Sequence, residues 1–293
     1  MVRGLITTLL LLFNLIVFGI PVLVVGLVKF AVHMTAPRSA FRTRVIQTMG
    51  KIAQQWVATN SRIFDLMLPT RWEVAGLPES LRADGRYLII SNHVSWVDIF
   101  VIFRAFHRRA AFVRFFLKRR LLAFPIVGQA CWALEFPFMR RYSADFLLRH
   151  PEKRGRDLET TRKACQRYQH IPVAILTFLE GTRYSEEKRA DQDSPYRRLL
   201  RPKVGAVAFV LASLGDQLDA MIDVTLAYPG GDATFWQFVS GHVDTIAVRV
   251  KRIEIPPEFF TAAITEPGPA RERFKAWIES IWREKDRVLS TSS

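Results

Sequence analysis

From Leu5 to Val28 the chain carries no charged side chain. An α-helix advances about 1.5 Å per residue, so this run is long enough to cross the hydrocarbon core of a bilayer, about 30 Å. A signal peptide has a shorter apolar core and a small-residue cleavage site, and Lys29-Phe30-Ala31-Val32-His33-Met34 offers a poor one. The run is therefore expected to remain as a membrane anchor, residues 1–45, ahead of a second region, residues 46–293. Pro21 lacks a backbone donor, which predicts a kink or break near Gly19-Ile20-Pro21. Two arrangements follow: one kinked spanning helix, or two short helices forming a hairpin that dips into one leaflet. Only Arg3 precedes the run, whereas Lys29, Arg38, Arg42, Arg44 and Lys51 follow it. By the positive-inside tendency the bulk of the chain then faces the cytoplasm.

The chain has 293 residues and is 49% apolar, enough for one substantial core and too apolar for a disordered protein. Its 42 Lys and Arg against 27 Asp and Glu give a formal charge of +15. That excess favours an anionic partner: nucleic acid, an anionic membrane surface, or a phosphorylated or CoA-type substrate. The two cysteines, Cys131 and Cys165, form no CxxC pair. A disulfide framework and a cysteine-rich zinc site are thereby disfavoured.

Past the anchor the pattern alternates. Ile46–Met67 reads as an amphipathic helix ending before Pro69. Arg86–Ser91 reads as a buried strand, Trp96–Phe106 as a helix and Ala110–Val113 as a short strand. Glu152–Tyr168 reads as a polar helix, Ile171–Phe178 as a strand and Ser185–Ser194 as an exposed loop. Val204–Leu214 reads as a helix, and Met221–Tyr228 as a strand stopped by Pro229-Gly230-Gly231. Arg271–Leu289 is amphipathic, with Phe274, Trp277, Ile278, Ile281 and Trp282 on one face. Alternating strands and helices imply a layered α/β domain, a mixed sheet flanked by helices. No internal repeat and no long linker divides it.

Three groups carry chemistry. The first is Asn92-His93-Val94-Ser95-Trp96-Val97-Asp98, at the end of an expected strand. Histidine is the side chain best suited to take a proton near neutral pH, and a carboxylate on its other nitrogen fixes the tautomer. Asp98 lies five positions after His93, so the two can meet where a strand turns into a helix. No GxSxG nucleophile elbow accompanies them, which favours direct attack by a substrate hydroxyl. A capping or core histidine beside a solvated carboxylate has the same residue pattern. The second group is Glu180-Gly181-Thr182-Arg183, where a glycine permits a tight turn and an arginine fork suits phosphate. An ordinary turn with a surface arginine has this pattern too. The third is Lys118, Leu121, Gly128 and Arg141, in a stretch where cations alternate with Phe103, Phe106, Phe112, Phe115 and Phe116. Such a stretch suits stacking on nucleic acid or a lipid headgroup layer. A solvated basic face over core aromatics is the third reading.

Together these groups resemble the lysophospholipid acyltransferase superfamily, which contains the 1-acylglycerol-3-phosphate acyltransferases. Its Asn-His-x4-Asp motif is matched by Asn92, His93 and Asp98. Its Lys-x2-Leu-x6-Gly-x12-Arg motif is matched at every spacing by Lys118, Leu121, Gly128 and Arg141, and its Glu-Gly-Thr-Arg motif by Glu180 to Arg183. Leu179 replaces the usual proline. Asp223-Val224-Thr225-Leu226-Ala227-Tyr228-Pro229 stands where a fourth, Pro-x-x-Pro motif is usual, a variant similar to the bacterial inner-membrane and lysocardiolipin-type branch. The resemblance covers roughly residues 85 to 230.

The resemblance implies acyl transfer from acyl-CoA or acyl carrier protein to the free hydroxyl of a lysophospholipid, 1-acylglycerol-3-phosphate first among them. It implies no metal and no cofactor beyond the acyl donor. His93 is expected to act as general base, Asp98 to orient it, and nearby backbone N–H groups to stabilise the oxyanion. Lys118, Arg141 and Arg183 are expected to hold the acceptor phosphate, Glu180 and Gly181 to shape the glycerol site, and Thr182 to be among the substrate-binding residues. Membrane lipids are expected partners and nucleic acid is not. The expected location is the bacterial inner membrane, catalytic domain on the cytoplasmic side. The competing readings are another acceptor such as lysocardiolipin, a hydrolase in which water replaces the acceptor, and a membrane-tethered nucleic-acid-binding protein.

Overall fold

The computed structural model describes residues 1–35, 40–139, 171–231 and 233–291, together with 149, 165, 166 and 168. Arg141 lies outside them, as does the helix expected over Glu152–Tyr168 apart from part of its last turn.

The apolar run forms one helix, α1 (Val2–Thr35), which passes through Pro21 without a break. The two-short-helix arrangement is therefore not adopted. Proline removes one helical hydrogen bond, and packing along α2 (Ala40–Met67) offsets that loss. Asn14 is buried between the two helices, where its Nδ2 donates to Asn60 Oδ1 at 2.8 Å and to Trp56 O at 3.1 Å. Both ends of α1 also touch the rest of the protein. Gly4 abuts Ser240 and Trp236, and Lys29 Nζ donates to Ala133 O and lies 3.4 Å from Glu135 Oε1. The opposite face leaves Leu9, Leu12, Phe13, Ile16, Ile20 and Leu27 exposed along its length.

The elements that follow are β1 (Arg71–Ala75), β2 (Arg86–Ser91), α3 (Asp98–Ala105), β3 (Val113–Phe115), β4 (Leu117–Lys118) and α4 (Val127–Ala133). Then come β5 (Phe138–Met139), β6 (Val173–Phe178), α5 (Glu186–Asp191), α6 (Gly205–Leu214), β7 (Ala220–Ala227), α7 (Phe235–Val239), β8 (Thr245–Ile253) and α8 (Pro269–Thr291). Among the described residues the strands form a six-stranded sheet in the order β1-β8-β7-β2-β6-β3, and β4 pairs with β5 separately. Every neighbour in the main sheet is parallel except β7 and β8. The layered, mixed α/β expectation holds, with helices on both faces.

Strand β2 sits between β6 and β7, and its residues Tyr87 to Ser91 are buried on both faces. That double burial explains the unbroken apolar runs of the central strands. One face packs on α1, α2 and α3, through Ile89, Val101 and Phe64; the other packs on α6 and α8, through Leu88, Val207 and Trp282. The aromatics Phe103, Phe106 and Phe112 point into the first of these cores. Arg114 is buried and donates to Leu134 O, so the cations left exposed include Arg108, Arg109, Lys118, Arg119 and Arg120. With most of its aromatics turned inward, the stretch is a basic face over core rings and offers little for bases to stack on.

Ser185–Ser194 contains a short helix, α5, where an exposed loop is the sequence expectation. Ser185 Oγ accepts from Lys188 N at 3.3 Å, with Glu186 and Glu187 in the first turn and Lys188 and Arg189 in the last. A cap and complementary end charges suffice for two turns.

Helix α8 buries Phe274, Ile278, Ile281 and Trp282, and one turn further on a fully buried Lys285. Lys285 Nζ donates to Val224 O, lies 2.7 Å from Asp223 Oδ1 and 3.3 Å from Thr225 Oγ1. Burial pulls its ammonium pKa down, while Asp223 and then Glu180 oppose that shift. Removing one partner of a buried pair leaves an uncompensated charge. Lys285→Ala is expected to cost about 3–5 kcal/mol. Chemical denaturation in mild detergent measures it, and a loss under about 1 kcal/mol would rule out a buried charged pair.

Candidate active site

The C-terminal ends of β2, β6 and β7 lie side by side at one edge of the sheet, where open α/β sheets place their ligands. Each contributes a segment: Asn92–Asp98 after β2, Leu179–Tyr184 after β6 and Tyr228 after β7. Buried Asn92 links two of them, since its side chain donates to Leu226 O and accepts from Leu226 N, both at 2.9 Å.

His93 and Asp98 meet, at the strand-to-helix junction that their spacing anticipates. His93 Nδ1 lies 2.8 Å from Asp98 Oδ2, and the imidazole stacks on Phe178 with ring centroids 4.0 Å apart. The His93 side chain is 16% exposed while Asp98 is fully buried. Asp98 Oδ2 also accepts from Val94 N at 2.7 Å and Ser95 N at 3.0 Å. With Nδ1 engaged by the carboxylate, Nε2 is the nitrogen left to take a proton from a substrate.

Glu180 differs from its expected role of shaping the glycerol site. It is fully buried, and its two oxygens accept from His93 N at 2.9 Å and Leu200 N at 3.0 Å. Its carboxylate is a clamp between loops. Burial raises its pKa to about 7, against the two backbone hydrogen bonds and the nearby Lys285, with the Asp98 charge adding to the rise. The amides of 93, 94 and 95 all have acceptors, so the oxyanion donors expected near the histidine are not among these three.

Gly181 has φ near +67°, a conformation that disfavours any side chain. Thr182 Oγ1 accepts from Lys188 Nζ at 3.3 Å, and Lys188 also donates to Arg183 O. Arg183 is exposed, its guanidinium 4.8 Å from the centre of the Trp96 ring. Lys118 is exposed at the end of β4, three residues past the end of β3. Gly128 packs α4 on the preceding turn so closely that a Cβ would fall 2.1 Å from Leu121 O. The structure therefore joins His93, Asp98 and Glu180 directly. It leaves Arg183 at the rim and Lys118 on the surface, and Arg141 lies outside the described residues.

Two features escape a reading of the sequence motifs. Tyr228, which ends the variant fourth segment, donates its hydroxyl to Asp98 Oδ1 at 2.5 Å. The strand period of two gave the signal: Asp223 and Thr225 face Lys285, and Tyr228 falls on the opposite face. The second feature is an apolar cavity of about 600 Å³ between α1, α2, α3 and α4. Trp96, three residues past His93, is in its wall, with Leu15, Gly19, Trp56, Phe100, Leu121 and Phe136.

Comparison with known proteins shows the family. The sequence pattern of the Acyltransferase family matches residues 73–228, just over half the chain and spanning His93 to Tyr228. The chain belongs to that family, in keeping with the lysophospholipid acyltransferase motifs it carries. It is 27% identical to lysocardiolipin acyltransferase 1 of Danio rerio over 252 residues, 82% of this chain and 60% of that protein. It is 24% identical to a probable 1-acyl-sn-glycerol-3-phosphate acyltransferase 5 of Arabidopsis thaliana, over 80% of this chain and 60% of the other. The chain thus spans about three fifths of these curated relatives. Its fold resembles that of the 1-acyl-sn-glycerophosphate acyltransferase PlsC of Thermotoga maritima, with a TM-score of 0.55, 15% identity and 98% of each chain covered.

Glu180 also links the site to pH. Its folded value of about 7 lies above the ordinary 4.5, so the folded chain keeps a proton that the unfolded chain releases. That contribution to stability is complete below about 4.5 and is lost as pH rises through about 7. Against Glu180→Gln, which stays neutral, the wild type is expected to lose relative stability across this window. Denaturation midpoints of both chains at each pH measure it, and a difference rising with pH contradicts the assignment.

Proposed function

We propose that this protein transfers an acyl chain from a thioester donor, acyl-CoA or acyl carrier protein, to the free hydroxyl of a lysophospholipid. The leading acceptor is 1-acylglycerol-3-phosphate, giving phosphatidic acid. The observation that carries the reading is the His93–Asp98 pair at 2.8 Å, with Trp96, three residues past His93, in the wall of a mostly apolar cavity large enough for an acyl chain.

In this reading His93 Nε2 removes the acceptor hydroxyl proton as the oxygen attacks the thioester carbon. The tetrahedral adduct collapses, the C–S bond breaks and the imidazolium returns its proton to the departing thiolate. Asp98 holds the imidazole and balances its transient charge. Arg183 and Lys118, both exposed, take the acceptor phosphate together with Arg141, and Trp96 supports the Arg183 guanidinium.

The membrane reading rests on α1. A helix of 34 residues is about 51 Å long, and both its ends dock on the protein body while one apolar face stays exposed throughout. That supports a helix lying in one leaflet in place of one crossing it. The cations that follow it, Lys29 to Lys51, and the cytosolic origin of such donors support the cytoplasmic leaflet of a bacterial inner membrane.

Removal of the base is the direct test. His93→Ala is expected to lower thiol release from acyl-CoA by about 100- to 10,000-fold while the chain still pellets with vesicles. Near-normal turnover in that variant sinks the mechanism. Product mass spectrometry with a mixture of lyso-acceptors distinguishes phosphatidic acid from other diacyl lipids and from free fatty acid. Leu15→Trp, which fills the cavity wall, is expected to shift products toward shorter chains; an unchanged chain distribution argues against acyl binding there.

A further inference from the structure

The environment of Asp98 is fuller than a histidine–aspartate pair requires. Its carboxylate is fully buried. One oxygen, Oδ2, accepts from His93 Nδ1, Val94 N and Ser95 N, at 2.8, 2.7 and 3.0 Å. The other, Oδ1, accepts from the Tyr228 hydroxyl at 2.5 Å, its one hydrogen-bond partner among the described residues. The first three donors come from the same seven-residue segment as Asp98. Tyr228 comes from 130 residues away, at the end of the neighbouring strand.

We propose that Tyr228 is a positioning residue for the base: its hydroxyl holds Asp98 Oδ1 so that Oδ2 stays aimed at His93 Nδ1. The inference rests on the acyl-transfer reading and deepens it. A carboxylate bound through one oxygen alone can swing about its Cβ–Cγ bond. Hydrogen bonds on both oxygens fix that rotation. The fixed oxygen keeps the imidazole proton on Nδ1 and Nε2 directed at substrate. The same bond shares the negative charge of Asp98, which limits how strongly the carboxylate retains a proton on the imidazolium. The imidazolium must give that proton to the leaving thiolate, so this restraint favours turnover. Burial first, and the Asp98 charge second, hold the Tyr228 phenol well above its ordinary value of 10, so it stays a donor through the working range.

The other charged groups around this triad are accounted for. Glu180, at the end of β6, faces His93 N; Arg183, on the same turn, lies over Trp96; Lys285, from α8, is paired with Asp223 on the far face of β7. None of them bonds to the Tyr228 hydroxyl. Glu180 titrates near 7 and contributes to any profile, so the effect of Tyr228 is read as the variant minus the wild type.

The test uses the full chain in mild detergent with 1-oleoylglycerol-3-phosphate and palmitoyl-CoA. Tyr228→Phe keeps the ring and removes the donor. It is expected to lower kcat by about 10- to 100-fold with KM changed less than about 3-fold. The acid limb of its pH–rate profile moves to higher pH, because an Asp98 charge no longer shared retains the His93 proton more strongly. A ring-fluorinated tyrosine at 228 keeps the shape and strengthens the donor, and moves the limb to lower pH. In an Asp98→Asn background the loss from Tyr228→Phe shrinks to less than about 3-fold, because the two groups act as one unit.

Wild-type kcat and an unmoved limb in Tyr228→Phe overturn the proposal. So does a fall in kcat with no movement of the limb in either variant, since a purely structural role predicts that. A full, independent loss in the Asp98→Asn background overturns it as well. Should Tyr228→Phe fail to fold, the fluorinated variant decides alone. His93→Ala in the same assay separates the two levels: retained activity there defeats the acyl-transfer reading, while its loss beside a silent Tyr228→Phe defeats only the role of Tyr228.

Discussion

Glu180 is the joint on which the site depends. Its buried carboxylate bonds the backbone of His93 on one side and of Leu200 on the other, at the end of β6. The loop after β2, the turn after β6 and the approach to α6 are thereby tied at one point. A hydrogen bond from a backbone amide to an ionised group is about twice as strong as a neutral one, and the dry surroundings strengthen it further. The same surroundings penalise the charge, which is why the carboxyl is lifted to about 7.

Around that joint the polar groups of the interior are matched in pairs across the central strands. Asn92 mimics a strand neighbour to β7, with reciprocal bonds to Leu226. Asp98 takes donors from its own loop and from Tyr228. On the reverse face Lys285 answers Asp223 and Thr225. Strand β7 therefore serves both sides of the sheet: its odd residues anchor the C-terminal helix, and the even side delivers a hydroxyl to the site. A Pro-x-x-Pro segment has fewer amides and no such side chains, so the departure at 223–228 has physical content beyond its spelling.

The apolar cavity lies against the longest helix. Its wall includes residues of α1, the helix whose outer face is exposed and apolar. One helix thus has an exposed apolar face and a face for the cavity. An acyl chain that leaves a bilayer for such a cavity exchanges one apolar environment for another, so little hydrophobic free energy is lost on the way.

The sequence by itself determined the alternation of elements, the central strands and the His93–Asp98 pairing, because these depend on local periodicity and short spacing. Strands β2, β6 and β7 are buried on both faces and stand out from their flanks. The edge strand β1 is mostly exposed, and β8 alternates Ile246, Val248 and Val250 with Ala247, Arg249 and Lys251; neither has the continuous apolar run that marks the centre. Only tertiary structure decided the rest. Burial turned Glu180 from a substrate group into a clamp, since a carboxylate's role is set by what surrounds it. The course of α1 through Pro21 followed from its docking on α2. The meeting of Tyr228 with Asp98 joins residues 130 apart: the strand period sets the face on which Tyr228 falls, not the residue it meets there. It exists because β7 lies beside β2 with its end at the same edge, and that adjacency is a property of the folded sheet alone.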